Sequence, residues 1–321
     1  MTAVGPDLGE LDDGDWPQPG PDGPGVSRVV VEVDGMPMSA LVCRVPRPRA
    51  VIVAWHGGAA MSAYFDDREW PRHSLLRLGA ALGYTVLAPD RPGYGSSSPY
   101  AEQLAVPARR TDLAYAVVDR LLGSDPRGAG LFLMGHSAGS ALVLGMAADE
   151  ERAQDVLGME IAGTGLRHHP YMAEMVEERR LDPASDGKIG RGLYDLLWRH
   201  ADLYPDDVVG GTRFASRTPG YELQVGEGWP VDFPALAARI RVPVRYSLGD
   251  HEQVWSTGPE ALAEVAGLFT ASPRVDTDEL ADSGHNLSVG LTATAYHLKV
   301  LAFAEECVHA RLRVRESETV E

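Results

Sequence analysis

Hydrophobic positions along this chain change period several times, and each change marks an element. Ser27–Gly35 (SRVVVEVDG) and Met38–Val45 (MSALVCRV) are β-branched runs on either side of a Gly-containing turn, which predicts an antiparallel hairpin. Ala50–Trp55 (AVIVAW) is apolar throughout, as expected of a strand buried on both faces of a parallel sheet. Tyr84–Asp90 (YTVLAPD), Gly130–Gly135 (GLFLMG) and Val242–Gly249 (VPVRYSLG) repeat that pattern, and Pro273–Asp276 reads as a further short strand. Apolar residues three and four apart predict helices over Arg72–Leu82, Arg109–Leu122, Ala141–Ala148, Glu260–Phe269 and Leu291–Arg311. Strands alternating with helices imply βαβ crossovers, hence an α/β fold with a mostly parallel central sheet and helices on both faces.

The alternation stops between Gly163 and Ala238. That stretch is rich in charged, Gly and aromatic residues, and reads as two or three helices separated by turns such as DPASDGKIG (Asp182–Gly190). It is too long for a plain loop inside a compact domain. A helical insertion over the C-terminal edge of the sheet is expected, dividing the chain into a core (27–162 and 239–321) and a cap (163–238). Residues 1–26 alternate Gly, Pro and Asp and offer almost nothing to bury, so a disordered leader is expected there.

Composition narrows the function classes. The 321 residues are 44% hydrophobic and 23% charged, the balance of a globular protein able to bury one large core. Lys+Arg 29 against Asp+Glu 46 leaves a net charge of −17. Such a field repels phosphate backbones and anionic lipid, which argues against nucleic-acid and membrane-surface partners. Cys43 and Cys307 lie far apart with no metal-ligand spacing, so neither a disulfide framework nor a zinc site is expected. No apolar run approaches the roughly 20 residues that span a bilayer, and the N-terminus carries no signal-like apolar segment. The expected location is cytoplasmic.

The chemistry concentrates in four short segments. Gly135-His136-Ser137-Ala138-Gly139 fits G-x-S-x-G, follows an apolar strand and precedes a helical run. A serine on so tight a strand-to-helix turn is lifted clear of the sheet, with small neighbours to avoid clashes, which makes Ser137 a candidate nucleophile. A serine hydroxyl needs a base to take its proton. Asp282-Ser283-Gly284-His285-Asn286, a polar turn before the last helix, offers His285. Asp250 and Glu252 follow the strand VPVRYSL, and either carboxylate could orient the imidazole. His56-Gly57-Gly58-Ala59 lets backbone amides approach a substrate closely. An oxyanion hole needs two such donors, assigned to Ala138 and Gly58, with Ala59 the near alternative. Asp90–Ser97 (DRPGYGSS) reads as a structural turn without a direct chemical role. In the insertion, Tyr171, Met172, Met175, Tyr194, Trp198, Tyr204 and Trp229 either line a pocket for an apolar group or pack the insertion onto the sheet.

Taken in order, HGG at 56–58, DRPGYGSS at 90–97, GHSAG at 135–139, VPVRYSLGDHEQV at 242–254 and SGH at 283–285 resemble the α/β-hydrolase superfamily over roughly residues 27–310. The resemblance implies the α/β-hydrolase fold with an inserted helical cap. It also implies a serine hydrolase that cleaves carboxylic esters through a Ser-His-acid triad and an acyl-enzyme, with no metal or organic cofactor. The family's G-x-x-D-x-[IV] pattern puts Glu252 at the acid position, where Asp is commoner. Dehalogenases and epoxide hydrolases of the superfamily carry Asp at the elbow, and Ser137 argues against both. The partner expected is a small-molecule ester or acyl substrate. Alternatives on the same residues are a thioesterase, lactonase or cyclase that releases an acyl chain in secondary metabolism, or a C–C bond hydrolase. From a different class comes a non-catalytic small-molecule binder.

Overall fold

The uninterrupted apolar runs occupy the middle of a single sheet. A computed structural model describes residues 25–181 and 186–318. Its strands are β1 (Ser27–Val33), β2 (Met36–Cys43), β3 (Val51–Trp55), β4 (Thr85–Pro89), β5 (Leu131–His136), β6 (Val156–Ala162), β7 (Val244–Gly249) and β8 (Val275–Leu280). They form an eight-stranded sheet in the order β1-β2-β4-β3-β5-β6-β7-β8. β1–β2 is the expected hairpin and β2 runs antiparallel to β4; the remaining pairs are parallel.

Why the central strands show no alternation is visible in the packing. Val51, Val53 and Trp55 of β3 face one hydrophobic core, and Ile52 and Ala54 face the other. Leu131 and Leu133 of β5 divide from Phe132 and Met134 in the same way. Both faces are covered, so both strand phases must be apolar. The helices that cover them are α1 (Leu75–Ala81), α2 (Pro107–Leu122) and α3 (Gly139–Ala147), then α4 (Pro170–Leu181), α5 (Asp186–Leu197) and α6 (Tyr221–Ala237) between β6 and β7, and finally α7 (Pro259–Ala266) and α8 (Ala293–Glu318). α2, α3, α6 and α7 close the first core, while α1 and α8 close the second.

Three elements differ from the sequence expectation. β6 does not stand out in the sequence because Gly158 and Glu160 interrupt its apolar run, yet all seven of its residues are buried. β8 extends through Asp276 to Leu280; as an edge strand it tolerates the polar DTDE run. Asp186–Gly190, expected in a turn, belongs to α5, and 182–185 lie outside the described residues. The expected leader lies outside them as well, apart from its last two residues.

Glu160 shows what a carboxyl in a central strand requires. The Tyr296 hydroxyl donates to its Oε1 at 3.2 Å, and Arg245 Nε lies 3.6 Å from its Oε2. Burial pushes the carboxyl up to about 8, against the pull of Arg245. A carboxyl whose pKa is raised by folding binds more protons in the native state. Its contribution therefore favours folding at acid pH and is lost as pH rises toward 8. Urea denaturation of wild type and Glu160→Gln should show the difference changing by about 1.4 kcal/mol per pH unit over this range, in favour of the variant at the alkaline end. A pH-independent difference would show that Glu160 is ionised throughout.

Candidate active site

Ser137 joins β5 to α3 with φ at 50°, in the left-handed region that residues bearing a Cβ occupy at a cost. Its N–H donates to the Ala162 carbonyl at 2.7 Å. The turn is sterically tight: a Cβ on Gly139 would strike the carbonyl oxygens of Trp55 and His56, so the residue two beyond Ser137 has to be glycine. Ser137 and Ala138 are half-buried, whereas His136, Gly139 and Ser140 are buried. The elbow thus presents the serine and the amide after it.

His285 and Glu252 meet at the same end of the sheet. Imidazole Nδ1 lies 2.7 Å from Glu252 Oε2, and the two side chains are 2% and 0% exposed. Glu252 Oε1 accepts from the N–H groups of Gln253 at 2.9 Å and Val254 at 2.7 Å. Three donors therefore hold the carboxylate. Because a carboxylate only accepts, the imidazole proton is assigned to Nδ1, which leaves Nε2 as an acceptor. Asp250, the other carboxylate of this loop, turns away and accepts from the backbone of Asp282 at 3.1 Å and Ser283 at 3.0 Å. It ties the loop after β7 to the loop that carries His285.

His136 bridges the elbow and the histidine loop. Its Nε2 lies 2.9 Å from the His285 carbonyl, and its ring centroid is 5.0 Å from that of His285. Burial and the neighbouring His285 push its pKa down to about 3, so it stays neutral and donates from Nε2. Tyr64 stacks on its other side at 4.7 Å.

The HGG segment lies against the elbow. A Cβ on Gly57 would stand 3.1 Å from the Ser137 Cβ. Gly58 is half-buried and Ala59 exposed. The Ala59 carbonyl accepts from Ser216 N–H at 3.0 Å. Among the described residues, no acceptor takes the N–H of Gly58 or Ala138.

Sequence reasoning missed two residues here. Arg91, in the turn expected to be structural, donates from Nη2 to the Gly57 carbonyl and the Tyr94 hydroxyl, each at 3.1 Å. Its Nη1 pairs with Glu222 Oε1 of α6 at 2.7 Å. A lone arginine among small turn residues was the signal for Arg91. Glu222 had none, because nothing in the sequence places the start of α6. Of the aromatics in the insertion, Trp198, Tyr204 and Trp229 are buried, while Tyr171 and Tyr194 are 46% and 48% exposed. The Tyr204 hydroxyl accepts from Asn286 N–H at 3.2 Å, beside His285. Trp229 lines a cavity of about 590 Å³ between α3 and α6, with Ala138 and Arg91 in its walls. Met172 and Met175 are half-buried on α4. Among the described residues, no group of three or more His, Cys, Asp or Glu side chains is placed to hold a metal ion.

The model of the alpha/beta hydrolase family matches residues 52–295. The chain belongs to that family. No curated protein matches this hydrolase. Its fold is similar to a thioesterase domain from the curacin biosynthetic pathway, with 19% identity over 86% of this chain and 99% of that one, at a TM-score of 0.52. It is also similar to a thermostable carboxyl esterase from Bacillus coagulans (16% identity, 88% and 99% covered, TM-score 0.60). A lipase in its open form is comparable, at 15% identity, 88% and 99% covered, with a TM-score of 0.64. At such identities the likeness is one of fold. Among the described residues, no helix of the hydrolase is long and apolar enough to cross a membrane.

The elbow's strain is open to measurement. Ser137→Gly should be more stable than Ser137→Ala by about 0.5–1 kcal/mol in urea, because glycine adopts positive φ without the Cβ penalty. Equal or reversed stabilities would mean the turn stores no strain.

Proposed function

We propose that this hydrolase cleaves carboxylic esters by acyl transfer, with Ser137, His285 and Glu252 as its triad. The observations that carry the reading are a left-handed, half-exposed Ser137 on the elbow and a buried, Glu252-bound His285 whose carbonyl is held by His136, the residue before Ser137. His285 Nε2 takes the Ser137 proton as Oγ adds to the ester carbonyl. The amide of Gly58, on the loop after β3, and that of Ala138, at the N-terminus of α3, receive the oxyanion. Collapse breaks the ester bond, and His285 returns the proton to the departing alkoxide. Water activated by the same imidazole then releases the acid and restores Ser137. Each step uses the chain's own side chains and amides. Residues 163–238 act as the cap, and the cavity between α3 and α6 is the reading's candidate for the acyl group.

Steady-state assays with p-nitrophenyl esters and acyl thioesters of matched chain length test this. Wild type should prefer the esters, and Ser137→Ala should lose on the order of 10⁴-fold or more in kcat. Faster turnover of thioesters would make the protein a thioesterase on the same residues. Turnover of neither, or an active Ser137→Ala, would overturn the reading.

The two loop carboxylates should separate sharply. In Glu252→Gln the amide NH2 would face His285 Nδ1 and favour the tautomer that cannot accept the serine proton, lowering kcat by about 10³–10⁴-fold. Asp250→Asn should stay within a few-fold of wild type in kcat and lose about 1–2 kcal/mol of stability through its weakened backbone contacts. The opposite ranking in kcat would assign the acid to Asp250.

A further inference from the structure

Building on the proposed acyl transfer at Ser137, we infer that Arg91 is the positioning residue of the oxyanion site. Its buried guanidinium holds the Gly57–Gly58 peptide so that the Gly58 N–H faces the reacting carbonyl, and Glu222 of α6 holds the guanidinium in turn.

The reasoning begins with the peptide plane. The Gly58 N–H and the Gly57 C=O belong to one rigid unit, so whatever fixes the carbonyl fixes the amide. Two consecutive glycines leave that unit free to rotate unless something restrains it. An oxyanion donor contributes to rate only when its direction is set before reaction. Here the Gly57 oxygen receives two donors. His56 Nδ1 lies 2.8 Å away, and Arg91 Nη2 donates at 3.1 Å. His56 can donate from Nδ1 because its Nε2 accepts the Arg91 backbone N–H at 3.0 Å. One residue therefore restrains the carbonyl twice, directly through its guanidinium and indirectly through the His56 tautomer. The guanidinium bond is charge-assisted and polarises the peptide, which makes the Gly58 N–H a stronger donor.

Arg91 has almost nothing left for a substrate. Nη2 serves Gly57 and Tyr94; Nη1 serves Glu222 and approaches the Ala138 carbonyl at 3.5 Å; Nε is buried without a hydrogen-bond partner among the described residues, out of a substrate's reach. It acts through a peptide, not on the reacting atoms. A buried guanidinium needs a partner. The Arg91 and Glu222 side chains are 5% and 9% exposed, and Glu222 Oε2 lies 3.9 Å from where a Cβ on Gly58 would stand. Burial works against the charge of Arg91, but Glu222 together with Tyr94 and Tyr221 holds the group above the ordinary arginine range, so its effect does not titrate. Because Glu222 comes from the first turn of α6, the insertion has to be seated on the core for the Gly58 peptide to be held.

Arg91→Lys and Glu222→Gln test the assignment beside wild type. Lysine keeps the charge but loses the fork that reaches Gly57 and Glu222 together. Each protein is assayed for kcat and KM on one p-nitrophenyl ester. Each is also titrated with a trifluoromethyl ketone, which forms an oxyanion on Ser137, and with the matching methyl ketone, which binds without forming one. Arg91→Lys should lower kcat by about 10–100-fold, with KM within about threefold. Trifluoromethyl ketone affinity should fall in step while methyl ketone affinity holds. Glu222→Gln, which keeps the shape of the pair, should lose about 3–10-fold in the same two quantities. Unchanged kcat in both variants, or equal losses for the two ketones, would overturn the assignment and leave Arg91 as a tie between α6 and the core. If Arg91→Lys does not fold, the same comparison on Glu222→Gln decides. Fluorophosphonate labelling of wild type separates this from the underlying reading. Without labelling, the acyl-transfer reading fails and the assignment fails with it; labelling with an even loss for both ketones sinks the assignment alone.

Discussion

The hydrogen bond between His285 and Glu252 constrains the site more than any other contact. Its partners stand 33 residues apart and both are buried, so it forms only where the loops after β7 and β8 leave the sheet side by side. A buried carboxylate is tolerated only when its oxygens are occupied. Glu252 therefore folds back on the amides of Gln253 and Val254, which leaves one oxygen for the imidazole. Asp250 draws the two loops together, the hydroxyl of Tyr204 accepts the amide beside His285, and His136 binds the His285 carbonyl from the elbow. Each of these contacts holds the imidazole or the loop that carries it in place.

A second buried ion pair, Arg91–Glu222, stands beside the HGG loop. The first pair comes wholly from the core. The second is shared between the core and the insertion, so under the proposed acyl transfer the insertion is part of the scaffold that holds the HGG loop. In a chain of net charge −17, both pairs set a carboxylate against a buried cationic or donor side chain, and the excess negative charge is left to the surface.

How far the sequence could be read follows from which forces are local. The hairpin, the apolar strands and the elbow are legible because steric and burial requirements act on neighbouring residues: β3 must be apolar on both phases, and Gly139 cannot carry a Cβ. Glu252 is singled out as the acid only by a family pattern; the residues alone leave Asp250 open. β6 escaped because Glu160 is reconciled with burial by Arg245 and Tyr296, contacts that no local window contains. Arg91 escaped for the same reason, since its partners Gly57 and Glu222 lie on either side of it in sequence and meet only in the folded chain.

The central claim is that Ser137 is the atom that bonds to the substrate and that His285 makes it reactive. Peptide mapping by fragment-ion mass spectrometry after brief exposure to a fluorophosphonate tests both halves. The account predicts a single phosphonyl adduct on Ser137, not on nearby Ser140, and near-complete loss of that adduct in His285→Ala with the fold intact. An adduct on another residue, or undiminished labelling of Ser137 without His285, would contradict it.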